Sequence, residues 1–215
     1  MLGIIRVLTT TDENILLEHS RLMEERYPIK TVTHCIEQQP YGVYDEKTLA
    51  ESIPKIVQLA KEMASQYDLD ALTISCAGDP ALDETRHAIN IPVIGAGICG
   101  AHCAAMAGNK VGVIGITDAP PERLKKELAD SFFSYSYVPN LRKSTDLFGE
   151  DAKKELTDKI NEIIENGANT ILFACTGFST IHLKKYLSQK ISIPVIDLVD
   201  AQAMAYQILK REVNE

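Results

Sequence analysis

Ala71-Leu-Thr-Ile-Ser-Cys76-Ala-Gly-Asp79-Pro80 and Thr170-Ile-Leu-Phe-Ala-Cys175-Thr-Gly-Phe-Ser179 carry one pattern twice: a short, largely apolar run, then Cys, then Gly two residues later. A run of this length bounded by Gly or Pro reads as a buried strand. Each Cys therefore stands where a strand ends and a Gly-containing loop begins. In open α/β sheets that strand end is where reactive groups gather. Two thiols arriving from two related lobes would face one substrate from opposite sides, as needed to take a proton from one face of a carbon and return one to the other.

Outward from these stretches the two halves keep the same order. Ile91-Pro-Val-Ile begins 15 residues after Cys76, and Ile193-Pro-Val-Ile begins 18 after Cys175. Thr11-Asp12 follows the opening strand of the chain, and Thr117-Asp118 follows the opening strand of the second half. The apolar pattern predicts strands over 4–9, 31–36, 72–76, 91–95, 111–116, 133–138, 170–174 and 193–196. Helices are predicted over 14–25, 46–66, 82–88, 101–107, 122–130, 151–166, 181–187 and 201–210, with Gly167 as a stop. The expected fold is α/β: two lobes related by a pseudo-twofold, each a mainly parallel sheet flanked by helices, with the active site in the cleft between them. The first lobe is expected to comprise residues 1–98 plus 200–215 and carry Cys76, and the second 99–199 with Cys175.

Composition narrows the function. The chain has 215 residues, 45% hydrophobic, with a formal charge of −8, enough for a sizeable core and too acidic for a broad nucleic-acid surface. No stretch approaches the ~20 apolar residues that span a bilayer. The start, Met1-Leu-Gly-Ile-Ile-Arg6, lacks the features of a signal peptide, so a cytoplasmic protein without membrane or nucleic-acid partners is expected. Its five cysteines are then free thiols.

Other candidate chemistries are weaker. Cys99, His102 and Cys103 share one helical face, but structural zinc usually draws on two separated ligand pairs, so tight helix packing is the better reading and no metal is expected. Gly95-Ala-Gly97-Ile-Cys-Gly100 has the form of a dinucleotide fingerprint, but it lies outside the first strand–helix–strand unit and reads as close strand–helix packing. Gly177-Phe-Ser179 is not a nucleophile elbow. Asp79 caps the helix that follows it, Cys35 is core, and His34, His87 and His182 have surface or supporting places. The Cys-x-Gly turns offer oriented amides that hold an anion and lower a thiol pKa from about 8.5.

The two Cys contexts, the Cys76-Ala-Gly-Asp79-Pro80 loop and the Pro-Val-Ile strands together resemble the Asp/Glu/hydantoin racemase superfamily, over essentially the whole chain, and most of all its hydantoin and allantoin racemase branch. The resemblance implies a cofactor-independent racemase with Cys76 and Cys175 as the acid–base pair. The turn after the first strand, Leu8-Thr9-Thr10-Thr11-Asp12, departs from that branch's Asn-Pro-Asn-Thr, and Cys175-Thr176-Gly177 departs from the Cys-Thr-His of glutamate racemases. The chemistry therefore transfers better than the substrate. A carbon α to a carbonyl is the expected centre, with a hydantoin-like substrate slightly ahead of aspartate or glutamate. Ala77, Gly78, Thr176 and Gly177 would supply amides to the developing enolate, and the hydroxyls of Thr9, Thr10, Thr117 and Thr176 would orient the substrate. A maleate-type cis–trans isomerase with a nucleophilic Cys and a non-catalytic thiol-sensing protein are the alternatives. A homo-oligomer, most simply a dimer, is expected.

Overall fold

β1 (Leu2–Arg6) is buried along its whole length, as befits a strand covered on both faces, although it ends on a charged residue. It is followed by α1 (Glu13–Arg26), β2 (Thr31–Cys35), α2 (Glu46–Gln66), β3 (Ala71–Ser75), α3 (Leu82–Ala88), β4 (Val93–Gly95) and α4 (Ala96–Ala107). The second half runs β5 (Val111–Gly115), α5 (Glu122–Leu128), β6 (Phe132–Tyr137), α6 (Ala152–Glu165), β7 (Thr170–Ala174), α7 (Gly177–Thr180), α8 (Leu183–Leu187), β8 (Val195–Ile196) and α9 (Leu198–Leu209). The computed structural model describes residues 1–210; the expected membership of residues 211–215 in the first lobe lies outside them.

The strands form two four-stranded sheets with the same order, β2-β1-β3-β4 and β6-β5-β7-β8. Every pairing is parallel. Arg6 pairs in register with Ser75, and Gly115 with Ala174. The chain leaves β1 toward one side for β2 and returns past it to β3. The carboxyl ends of β1 and β3 thus bracket the switch point of the first sheet, and those of β5 and β7 bracket that of the second.

Alternate residues of each strand feed opposite faces. On the first sheet, Ile5, Leu72 and Ile74 meet α2 and α3 through Ile56, Ala60, Met63 and Leu82. Ile4 and Ala71 meet α1 and α9 through Met23, Val199, Ala203 and Tyr206. On the second sheet, Ile114, Ile171 and Phe173 face α6 and α8. Val113, Leu172 and Ala174 face α4 and α5 through Ala101, Ala104, Leu124 and Leu128. Fully buried side chains such as Ile56 and Phe173 each contribute about 1.5–3 kcal/mol. The helices that close the two halves are exchanged: α4 follows the first sheet and packs on the second, and α9 follows the second and packs on the first. α6 ends in a Schellman turn, with Gly167 (φ +110°) donating to Ile164 and Ala168 donating to Ile163.

Several boundaries differ from the sequence reading. β1 stops at Arg6 rather than residue 9, because Thr9 N–H already bonds Gln39 in the loop after β2. The helix expected over 181–187 is shortened to α8, which starts after His182 in a left-handed conformation (φ +55°), and a separate short helix, α7, precedes it at 177–180. The helix expected over 122–130 ends at Leu128 in a 3₁₀ turn. α4 begins at Ala96, five residues before the 101 expected from sequence, so the Gly-rich stretch is a strand end and a first helical turn. Among the described residues, no helix is long and apolar enough to cross a membrane.

Candidate active site

The loops that leave β1, β3, β5 and β7 meet over one cleft of about 810 Å³. Cys76 lies immediately after β3 and Cys175 immediately after β7, so each sheet delivers its thiol at the same position. Both line the cleft, as do Thr9, Thr10, Ala77, Gly78, Thr117, Thr176 and Gly177. The structure therefore brings together every site residue expected from the sequence.

The environments of the two thiols are related but unequal. The Gly78 N–H points at the Cys76 sulfur, while both Gly177 and Phe178 N–H groups point at that of Cys175. Arg6 also favours the Cys175 thiolate, whereas Asp79 and a charge on Cys175 disfavour that of Cys76. Burial outweighs these groups, pushing Cys76 up to about 12 and Cys175 up to about 11. This corrects the expectation of lowered thiols: the amides are present, but the walls of the cleft withhold water from the charge. The difference in donors makes Cys175 the easier of the two to ionise.

The threonine hydroxyls are engaged in shaping the loops. Thr9 Oγ1 donates to Ile36 O (2.7 Å) and accepts from Gln39 N (2.6 Å). Thr10 Oγ1 accepts from Asp12 N, and Thr117 Oγ1 donates to Ala119 O. Thr176 Oγ1 crosses between the lobes to donate to Ser75 O at 3.1 Å. Thr9, Thr117 and Thr176 thus retain at most a lone pair for a ligand, whereas Thr10, which only accepts, keeps its O–H to donate.

Asp79 does not cap the helix that follows it. That helix, α3, starts from Ala81 in a left-handed conformation with no side-chain cap. Asp79 instead reaches α4, accepting from Gly97 N and Ile98 N at 2.8 Å each. The amides that a dinucleotide phosphate would take are thus bound to the chain's own carboxylate. Burial raises Asp79 to about 6 against the pull of those two hydrogen bonds. Nearby on α4, Cys99 packs against the core, His102 faces Glu127 at 3.4 Å, and Cys103 is half-buried. Among the described residues, no group of three or more His, Cys, Asp or Glu is arranged to hold a metal.

Two buried residues were overlooked in the sequence. Arg6, 1% exposed, lines the floor of the cleft. Its Nη1 donates to Ile15 O (2.6 Å) and Leu16 O (3.0 Å), and its Nη2 to Thr180 Oγ1 (3.3 Å). A charge ending an otherwise apolar run was the signal for it, since unpaired charges are almost never fully buried. His19 is fully buried beneath both cysteine loops, with ring nitrogens 2.8 Å from Ser75 Oγ and 3.1 Å from Thr176 O. Its signal was a polar residue on the Ile15, Leu22 and Met23 side of α1.

Residues 19–206 match the family model described as Asp/Glu/Hydantoin racemase. The chain is 28% identical over 168 residues to the hydantoin racemase of Paenarthrobacter aurescens, covering 74% of this chain and 68% of that protein. It is 26% identical over 196 residues to the hydantoin racemase of Pseudomonas sp. (strain NS671), covering 86% and 76%. The crystal structure of the allantoin racemase of Pseudomonas fluorescens shares the fold, with a TM-score of 0.83 at 20% identity over 97% of this chain and 89% of that one. With paired parallel sheets, a thiol at the same strand end of each, and a family match through both, the chain belongs to the Asp/Glu/hydantoin racemase family and is an enzyme of the racemase class.

Proposed function

We propose that the protein inverts the carbon α to a carbonyl in a neutral, hydantoin-like substrate, with Cys76 and Cys175 as the acid–base pair. The observation that carries this reading is the delivery of two thiols, one from each sheet, into a single cleft. In one direction the Cys175 thiolate takes the α-proton, and the electron pair of the C–H bond moves onto the adjacent carbonyl oxygen. The Cys76 S–H then returns a proton to the opposite face as the enolate collapses. The enzyme is left with a Cys76 thiolate and a Cys175 thiol, poised for the other enantiomer. The amides of the two Cys-x-Gly turns stabilise the thiolates, and Arg6 adds to that stabilisation at Cys175.

Charge around the cleft supports a neutral substrate. The lining includes Asp45, Glu46, Asp83, Glu84, Asp118 and Glu122. Its two cations are already engaged: Arg6 by carbonyls and Thr180, and Arg123 by an ion pair with Asp83. Among the described residues, a dicarboxylate such as aspartate or glutamate would meet the unpaired carboxylates Asp45, Glu46, Glu84 and Glu122 around the cleft, with Arg6, buried and held by neutral acceptors, as the one lining cation not in an ion pair. Val7, Leu8, Val43, Leu49, Ile53 and Phe148 offer an apolar wall for a ring substituent.

The test is α-proton exchange in D₂O, followed by NMR and optical rotation, across L- and D-hydantoins, allantoin, aspartate and glutamate. Exchange with loss of rotation on a hydantoin is the expected result, and Cys76→Ala and Cys175→Ala should each abolish inversion. Inversion of aspartate or glutamate alone would overturn the substrate class. Inversion that survives either cysteine variant would overturn the two-thiol mechanism.

A further inference from the structure

The two cysteine loops are tied to each other beneath the cleft by a residue that belongs to neither. His19 sits in the middle of α1, with no exposed surface. Its Nε2 lies 3.1 Å from the Thr176 carbonyl oxygen, which can only accept, so this nitrogen carries the proton. It shares that proton with Thr180 Oγ1, also at 3.1 Å. The opposite nitrogen, Nδ1, is then an acceptor and takes the Ser75 hydroxyl proton at 2.8 Å. Ser75 immediately precedes Cys76, and Thr176 immediately follows Cys175. Burial, reinforced by the charge of Arg6, holds the imidazole well below its ordinary pKa, so this tautomer persists through the neutral range.

We propose that His19 is a positioning residue: a neutral imidazole that spans the two lobes and sets the separation between the two thiols. Arg6 fixes the ring from behind. Its donor to Ile15 O grips the carbonyl one helical turn before His19, and its donor to Thr180 Oγ1 holds the same hydroxyl that the imidazole touches. The direct bond from Thr176 Oγ1 to Ser75 O closes the connection on the other side. The ring touches neither sulfur by any hydrogen bond; it acts through the peptide units on which they stand. The inference rests on the two-thiol reading, because a separation matters only where one proton leaves to one sulfur and another arrives from the second.

A thiol that removes the α-proton can exchange it with solvent and return it to the same face, giving exchange with retention. Inversion needs the second thiol at its proper distance. The measurement is therefore the ratio of solvent-deuterium exchange with retention to inversion, on whichever compound of the panel the wild-type enzyme inverts, together with kcat and KM. His19→Ala should lower kcat for inversion by roughly a hundredfold, the usual cost of misplacing reacting groups by about 1 Å, and raise the exchange-to-inversion ratio at least about tenfold. KM should stay within about threefold, because the binding walls are untouched. His19→Gln should recover much of the loss, since its amide offers one donor and one acceptor about as far apart as those of the ring. Ser75→Ala, which leaves the ring tied to Thr176 and Thr180 but not to the peptide before Cys76, should shift the ratio in the same direction. Where His19→Ala fails to fold, His19→Gln and Ser75→Ala carry the same test.

An unchanged ratio in His19→Ala, or in both other variants, would overturn the inference: a merely structural residue lowers the amount of active protein and leaves each surviving molecule's partition alone. Cys76→Ala or Cys175→Ala enzymes that still invert, or a wild-type enzyme that inverts none of the panel, would instead bring down the two-thiol reading, and this inference with it.

Discussion

Gly97→Ala is expected to damage catalysis more than stability. A Cβ at this position would point from the first turn of α4 at the loop that carries Cys76, falling 3.2 Å from the Ala77 carbonyl carbon, 3.0 Å from Asp79 Oδ2, and closer still to the Ala77 carbonyl oxygen. The obstacle is backbone, so no rotamer change relieves it, and the loop must retreat by roughly 1 Å to reach ordinary contact. Overpacking of this kind costs about 1–3 kcal/mol, offset in part by the ~0.5–1 kcal/mol that Ala gains over Gly in a helix. The net loss of about 1–2 kcal/mol should lower Tm by only a few degrees in a chain of this size. The same 1 Å shift displaces the Cys76 thiol and its Gly78 donor, for which a loss near a hundredfold in kcat is expected, or about 2.7 kcal/mol of transition-state stabilisation. Both directions of racemisation should fall together, because in the proposed two-thiol mechanism each uses both thiols. Gly78→Ala is the companion variant: no atom lies within 4 Å of its added methyl, which enters the cleft itself, so KM should rise with Tm unchanged. The assays are initial rates of optical rotation in both directions and thermal unfolding. Wild-type kcat in Gly97→Ala would refute the reasoning, since it would mean that the loop position does not govern the thiol.

Alkylation by iodoacetamide, followed by peptide mass spectrometry across pH, should give a lower midpoint for Cys175 than for Cys76, because Cys175 has two amide donors and Arg6 behind it; the reverse order would contradict the assigned asymmetry. Arg6→Met should destabilise the fold by about 1–3 kcal/mol in urea unfolding, through loss of its buried hydrogen bonds to Ile15 O, Leu16 O and Thr180 Oγ1, and should move the Cys175 midpoint upward; a loss under about 0.5 kcal/mol would count against it. Asp79 titrates near 6 in the folded chain and near 3.8 when unfolded, so its protonated form favours folding below about pH 4 and that contribution disappears as pH rises through 6. Relative to Asp79→Asn, wild-type stability should therefore decline by on the order of 3 kcal/mol between pH 4 and 7, and a flat difference would refute the shift.

The alternation of strands and helices was legible because buried parallel strands and amphipathic helices such as α2 leave strong periodic marks. The pairing of Cys76 with Cys175 was legible because it repeats in a matched context. What sequence concealed depends on distant partners. The Gly95–Gly100 stretch reads from sequence as close strand–helix packing before a helix from 101, and the earlier start of α4 at Ala96 rests on the Asp79 carboxylate, which arrives from another loop. The break at His182 carries no glycine to announce it. Arg6 and His19 were passed over because their roles exist only once α1, β3 and α7 converge. The upward thiol shift is hidden from sequence because donors near a sulfur can be counted there, whereas water removed from it cannot.

The exchange of α4 and α9 between the sheets has a consequence for the chain as a whole. Cleavage near Asn109 would leave an N-terminal fragment lacking the helix that carries Val199, Ala203 and Tyr206, and holding one whose alanines belong against the other sheet. Each fragment would expose apolar surface complementary to that of its mate. Neither piece is expected to fold alone, yet the two should reconstitute on mixing, and the intact chain should unfold in one concerted step despite being built as two halves.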